Sequence, residues 1–455
     1  MLRQSSRWAQ RTAPRRAFGA VALAAVCTAI LFAAPARAQG LIRDSEIEQT
    51  LRLLSRPVFD AANIDPSSVR IFIINDQRLN AFVNGGRNMF FYAGILQELE
   101  TPEQLIGVMA HETGHITGGH VVRRLAALRQ ARAQSILATL LGVAAGVAGG
   151  GDAAAGVSLG GQSLATRSLL SFTRGQESSA DQAALTFMNR AGVDPIGMLQ
   201  VLQKLGEAQA FLSNVDPYLL THPLSGARID ALRQGVASSP ARGQRVSREL
   251  RYWHGRMRAK LDGFLGRPGL SSGADSYGSP ELDLYRRTIN LHRLPDPDSA
   301  VASADQLIAM RPEDPFYWEL KGQILLESGR GRQAVKPYRQ AVSLRPGDAL
   351  IQAGLGAALL TIETPETDKE ALSVLERAAL EDPLDAKLRR SLAIAYARDG
   401  QEGMAAVATA ERLALTGQRK DARRQAKRAK DLLPVGSSGW LRAEDVLVAV
   451  GDSDD

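Results

Sequence analysis

The sequence predicts a mostly helical α+β domain with a small sheet, followed by an α-helical solenoid of stacked repeats. Three observations carry that expectation. At 455 residues the chain is longer than one ordinary core serves. Strand-like segments between residues 69 and 92 lead straight into a strongly capped helix. Beyond residue 283, proline-marked motifs recur at the spacing of helix-pair repeats. The expected division is a signal peptide over 1–38, a first domain over 39–265, a linker over 266–283, repeats over 284–436 and a C-terminal tail over 437–455.

The first 38 residues hold six arginines and no acid. An apolar run from Phe18 to Ala34 ends in Pro35-Ala36-Arg37-Ala38, an A-x-A cleavage site. This is the pattern of an export signal cut after Ala38. Without that leader, 49 basic residues face 48 acidic ones, so the formal charge of +7 is no argument for nucleic acid. A hydrophobic fraction of 45% and a charged fraction of 23% exclude a disordered or polytopic membrane chain. The single cysteine, Cys27, lies inside the apolar run, so a metal site in the exported chain must use His and carboxylates.

Asp44 to Leu54 reads as a polar helix. Val69 to Ile74 is β-branched and mostly apolar, a strand. Asn80-Ala81-Phe82-Val83-Asn84 reads as a short strand ending in the turn Gly85-Gly86, and Asn88 to Tyr92 as another. Thr101-Pro102-Glu103-Gln104 then supplies an N-cap, a proline at the first helical position and a capping-box glutamine. Residues 134–163, rich in Ala, Gly, Leu and Val, are too interrupted to span a bilayer. They read as a helical hairpin near the site or, more sharply, as a lid with peripheral membrane contact. Leu270 to Asp275 is the linker. Met310-Arg311-Pro312 and Leu344-Arg345-Pro346 are 34 residues apart, the tetratricopeptide period, with Asp382-Pro383 and Leu433-Pro434 continuing the series. The basic stretch Arg419 to Lys430 reads as the solvated face of a late helix.

The capped helix carries His111-Glu112-Thr113-Gly114-His115. Histidines four apart project both imidazoles from one face toward one ion, and Glu112 reaches a water at that ion without ligating. That is the chemistry of a zincin-type metalloprotease, with one Zn2+ per chain. A third ligand is required. His120 stands about 140° round the helix from His115 and is rejected on that count. The metzincin class fails because Val121 occupies its third-histidine position. Glu177, opening Glu177-Ser178-Ser179-Ala180-Asp181, is the better candidate, with Asp181 on the same helical face to orient a ligand imidazole.

HETGH, then E-S-S-A-D, then Thr221-His222-Pro223-Leu224-Ser225-Gly226-Ala227-Arg228-Ile229 resembles the HtpX and CAAX-prenyl-protease family of gluzincins. Asn80-Ala81-Phe82 with Gly85-Gly86 matches that family's strand beside the cleft. A secreted peptidase domain joined to tetratricopeptide repeats resembles its BepA-like periplasmic branch. The resemblance implies that His111, His115 and Glu177 bind zinc, that Glu112 is the base and that Asp181 supports a ligand. It implies for His222 either stabilisation of the oxyanion or occupation of zinc's fourth position. Arg228 either assists with charge or braces the loop. Asn80, Ala81, Phe82 and Val83, as an edge strand, would pair with unfolded or extended protein substrates. The implied partner is the outer-membrane β-barrel assembly machinery, and the implied work is quality control of stalled envelope proteins. A chaperone or scaffold with a latent protease is the alternative.

Overall fold

A computed structural model describes residues 40–124, 126–130, 136, 173–211, 222–266, 276–294 and 296–451. The expected signal peptide, the 134–163 segment save Ile136, and the 270–275 linker lie outside the described residues.

The sheet has four strands, β1 (Leu41–Ile42), β2 (Arg70–Ile74), β3 (Ala81–Asn84) and β4 (Asn88–Tyr92), in the order β1-β2-β4-β3. β2 and β4 are parallel; the outer strands are antiparallel to them. Opposite Phe90 stand Phe72 on β2 and Phe82 on β3, and the three rings stack at 5.0 and 4.9 Å. This cross-strand ladder pins the register, since a slip of one residue would move every ring to the other face. Gly85 and Gly86, with φ of 58° and 92°, make the β3–β4 turn that the sequence announced. β3 is therefore an edge strand.

Behind the sheet lie α1 (Ser45–Ala61), α2 (Ala93–Glu98) and α3 (Pro102–Thr117). α3 begins with the expected capping box between Thr101 and Gln104. It is buried from Gln104 to His115, polar residues included. A helix over 173–191, α4, packs on it, followed by α5 (Ile196–Phe211), α6 (Gly226–Ala237) and α7 (Arg248–Leu265).

α7 belongs to both halves of the molecule. Met257 and Leu261 join the first core, while Ala259 packs with Leu282, Tyr285 and Tyr317 of the repeats. Its Arg256 is wholly buried, donates to Glu46 of α1 and to Asp314, and lies 4.2 Å from the Tyr317 ring centroid. Lys260 adds bonds to Asp44 (2.7 Å) and Glu46 (3.1 Å), and the Tyr285 hydroxyl donates to Glu46 at 2.6 Å. Ser45 and Arg43 continue the seam to Asp348 and Asp382.

The repeats run as helix pairs: α8 (Pro280–Arg293), α9 (Pro297–Met310), α10 (Pro315–Glu327), α11 (Gly331–Leu344), α12 (Ala349–Leu360), α13 (Pro365–Glu381), α14 (Ala386–Arg398), α15 (Glu402–Leu415), α16 (Arg419–Leu432) and α17 (Ser438–Val450). The proline motif has a structural cause. Asp314, Asp348 and Asp385 each cap the next helix. The carbonyls of Pro312, Pro346 and Pro383 each accept a bond from the side chain six residues on, Trp318, Gln352 and Arg389. Residues 438–450, placed within the tail by sequence, form a helix whose Ala443, Val446 and Val450 are buried on α15 and α16.

Candidate metal centre

The two halves of the centre meet because small residues let the backbones approach. A β-carbon on Gly114 of α3 would stand 2.8 Å from the Ala180 carbonyl oxygen of α4. The glycine of H-E-T-G-H and the alanine of E-S-S-A-D are thus one contact, which brings Glu177 over the two histidines. Gly107 serves α3 and α5 in the same way, facing Met198 at 2.9 Å.

Four buried side chains converge: His111, His115, Glu177 and His222. His111 Nε2 lies 3.0 Å from His115 Nε2 and 3.2 Å from His222 Nδ1. Glu177 oxygens lie 3.2 Å from His222 Nδ1, 3.4 Å from His111 Nε2 and 3.5 Å from His115 Nε2. A tetrahedral ion with bonds of about 2.0–2.1 Å sets neighbouring donors roughly 3.3–3.4 Å apart, so this donor set fits one small cation. The donor types, three imidazoles and a carboxylate without thiolate, suit zinc.

Around these donors stand groups that orient them. Asp181 Oδ1 faces His111 Nδ1 at 3.0 Å. The Arg228 guanidinium binds Asp181 through Nε (2.8 Å) and Nη2 (2.9 Å). Its Nη1 reaches the Pro223 carbonyl (2.9 Å) and Glu177 (3.0 Å). One buried arginine therefore ties α4 to the His222 loop. Ser225 caps α6, the helix that carries Arg228.

The electrostatics match a cation site. Burial opposes charge on His111, but hydrogen bonds and charges from Asp181 and Glu177 outweigh it and lift the imidazole to about 10. Burial would raise the Glu177 carboxyl, yet His222 and His111 hold it far below the usual range. Burial pushes Glu112 up, against the pull of His222 and His111. Glu112 is fully buried, with the Val83 backbone of β3 donating to it and His222 Nε2 3.4 Å away.

His120, rejected from the sequence as a ligand, is absent from the converging donors, but the helical premise of that rejection does not hold. The helical wheel assumed that α3 continues, but it ends at Thr117, and Gly119 turns the chain with φ of 61°. His120 consequently returns to the site, its Nδ1 2.9 Å from His115 Nδ1. It stands behind a ligand and is not among the converging donors. The Gly118-Gly119 pair was the signal that could have shown the helix stopping.

A cavity of about 240 Å³ lies against the centre, lined by Phe82, Val83 and Asn84 of β3 and by Glu112, His115 and His222. Ala81 is buried, and Asn80, just before the strand, is buried as well. The sequence-nominated strand and the donors thus border one space.

The family model described as Peptidase family M48 matches residues 42–236. The chain carries an M48 peptidase domain. A Tetratricopeptide repeat model matches residues 282–429. Together they make the chain a metalloendopeptidase with an α+β peptidase domain and a repeat region. The beta-barrel assembly-enhancing protease of Yersinia pestis is 27% identical over 392 residues, 83% of this chain and 78% of that protein. The protein of the same description from Escherichia coli (strain K12) is 27% identical over 410 residues, 87% of this chain and 81% of its own length. Over the M48 domain, the mitochondrial metalloendopeptidase OMA1 of Schizosaccharomyces pombe is 30% identical across 168 residues, 36% of this chain and 45% of that one.

Proposed function

We propose that the chain is a periplasmic zinc endopeptidase, with one ion per chain, that hydrolyses extended segments of misfolded or stalled envelope proteins. The convergence of His111, His115, Glu177 and His222 on one small-cation space carries this reading. His111, His115 and Glu177 would hold the ion, and bound zinc would polarise the scissile carbonyl and acidify a water. Glu112 takes the proton of the attacking water and returns one to the leaving amine. Asp181 fixes the His111 ring, and Arg228 braces Asp181, Glu177 and the His222 loop at once.

The substrate's backbone would pair with the outer edge of β3, a mode that selects extended chains over folded surfaces. The repeats would hold the larger client or an assembly partner. An envelope role is supported by the two relatives described as beta-barrel assembly-enhancing proteases. The leader expected over 1–38 supports export. Among the described residues no helix is long and apolar enough to cross a membrane.

A second reading has its own observation. His222 Nδ1 stands with the ligand atoms, 3.2 Å from both His111 Nε2 and Glu177. His222 would then fill the fourth position at rest, leaving a largely latent protease that acts as a chaperone or assembly scaffold. Casein cleavage by purified His222→Ala decides between its roles. Activity above wild type is expected of a plug, and activity below wild type of an oxyanion group. Complementation of envelope defects by Glu112→Gln as complete as by wild type would overturn proteolysis as the main work.

A further inference from the structure

We propose that His120 is a positioning residue for the metal centre: it accepts a hydrogen bond from His115 Nδ1 and so directs the His115 Nε2 lone pair at the ion. The inference rests on the reading of His115 as a ligand through Nε2. An imidazole that gives Nε2 to a metal keeps its proton on Nδ1, and that N–H needs an acceptor when buried. His115 is buried, and His120 Nδ1 lies 2.9 Å from its Nδ1. His120 must then carry its own proton on Nε2. The two ligand histidines are thus held differently, His111 by the Asp181 carboxylate at 3.0 Å and His115 by a second imidazole.

Two further features serve this contact. A β-carbon at Gly118 would stand 2.3 Å from His120 Nε2 and 2.7 Å from its Cδ2. The ring therefore occupies space that only glycine leaves open. The His120 carbonyl also accepts a bond from Gln176 Nε2 at 3.2 Å. Gln176 directly precedes Glu177, so one short segment supplies a donor to the metal space and a clamp on His120. Gly119, with φ of 61°, sets the turn that brings the ring back over α3.

The test is zinc affinity of the purified full chain, measured by competition with a chromophoric chelator. Thermal unfolding of the metal-free proteins is followed alongside. His120→Leu removes the acceptor, and His120→Asn restores one, because Asn Oδ1 takes the place of His Nδ1. Loss of a supporting group of this kind weakens metal binding roughly 10–100-fold. The expected result is a loss of that order in His120→Leu, with most of it recovered in His120→Asn, at similar metal-free melting temperatures. Should His120→Leu not fold, Gly118→Ala takes its place, since it displaces the ring and is expected to show the same loss. Wild-type affinity in the acceptor-less variant, or equal loss in the Asn and Leu variants, overturns the role of His120 alone. A wild-type chain that binds no zinc overturns the reading of the centre together with it.

Discussion

Two clusters of buried charge organise this molecule, and they are built on opposite principles. At the seam between the halves, Glu46 receives Arg256 on one oxygen and Lys260 with Tyr285 on the other. Arg256 also bonds Asp314, and Lys260 also bonds Asp44. Donors and acceptors close on one another. At the metal centre, by contrast, ring nitrogens of His111 and His115 face each other at 3.0 Å, with a Glu177 oxygen 3.4 Å from one and the other oxygen 3.5 Å from the second. A cluster that closes on itself fixes geometry. One whose acceptors converge on a shared point asks for a cation.

The largest effect should come from breaking the open cluster's chemistry. Glu112→Gln keeps the shape and removes the base, so casein hydrolysis should fall by about 10²–10⁴-fold or more. Zinc content should stay at the wild-type level, which separates loss of a base from loss of the site.

Breaking the closed cluster should act on stability instead. Arg256→Met strands Glu46 without its main cation, and removal of one partner from a buried pair costs about 3–5 kcal/mol. Denaturant unfolding should show this loss, and part of it should return in Arg256→Met/Glu46→Leu, which removes the stranded Glu46 carboxylate while Asp314 still lacks its arginine. A double variant as unstable as the single one would contradict the charge argument.

A third effect lies on α7, beside the closed cluster. Burial, aided by Arg258, pushes His254 down to about 3. The unfolded chain takes up a proton below about 6.5 while the folded chain does not, so stability falls as pH drops from 6.5 toward 3. The slope contributed by this residue is about 1.4 kcal/mol per pH unit within that window. A His254→Gln variant, which cannot titrate there, should show a flatter stability profile.

The smallest effect is in the repeats. Gly329 and Gly400 make the turns within their helix pairs with φ of 75° and 76°, but the turn after α12 uses Glu363 at φ 60°. Relief of that left-handed strain in Glu363→Gly should gain about 1 kcal/mol. Loss of the exposed Arg398 ion pair offsets part of it. Thermal unfolding should show a change near zero or slightly stabilising.

How much of this was legible in the sequence depended on how local each cause was. The capping box of α3, the Asn88–Tyr92 strand and the Gly85-Gly86 turn rest on neighbours in the chain, and the sequence displays them. The repeats were legible because Pro312, Pro346 and Pro383 mark one hydrogen-bonded corner used three times. Glu177 and Asp181 were legible as a pair on one face, but their closeness to His111 depends on the Gly114–Ala180 contact, which no periodicity reveals. His120 was misplaced because a helical wheel knows nothing of where a helix stops. The seam was invisible: Glu46 reads as an ordinary first-turn acid, and its partners Arg256 and Lys260 lie more than 200 residues away.

The most direct test of the open cluster is zinc X-ray absorption on the purified chain, compared with His222→Ala. One zinc per chain should appear, with nitrogen and oxygen neighbours at about 2.0–2.2 Å. Outer-shell scattering should show the imidazoles of His111 and His115 in both chains, with a third in the wild type if His222 fills the fourth position. Absence of zinc, sulfur in its first shell, or fewer than two imidazoles in either chain would contradict the account.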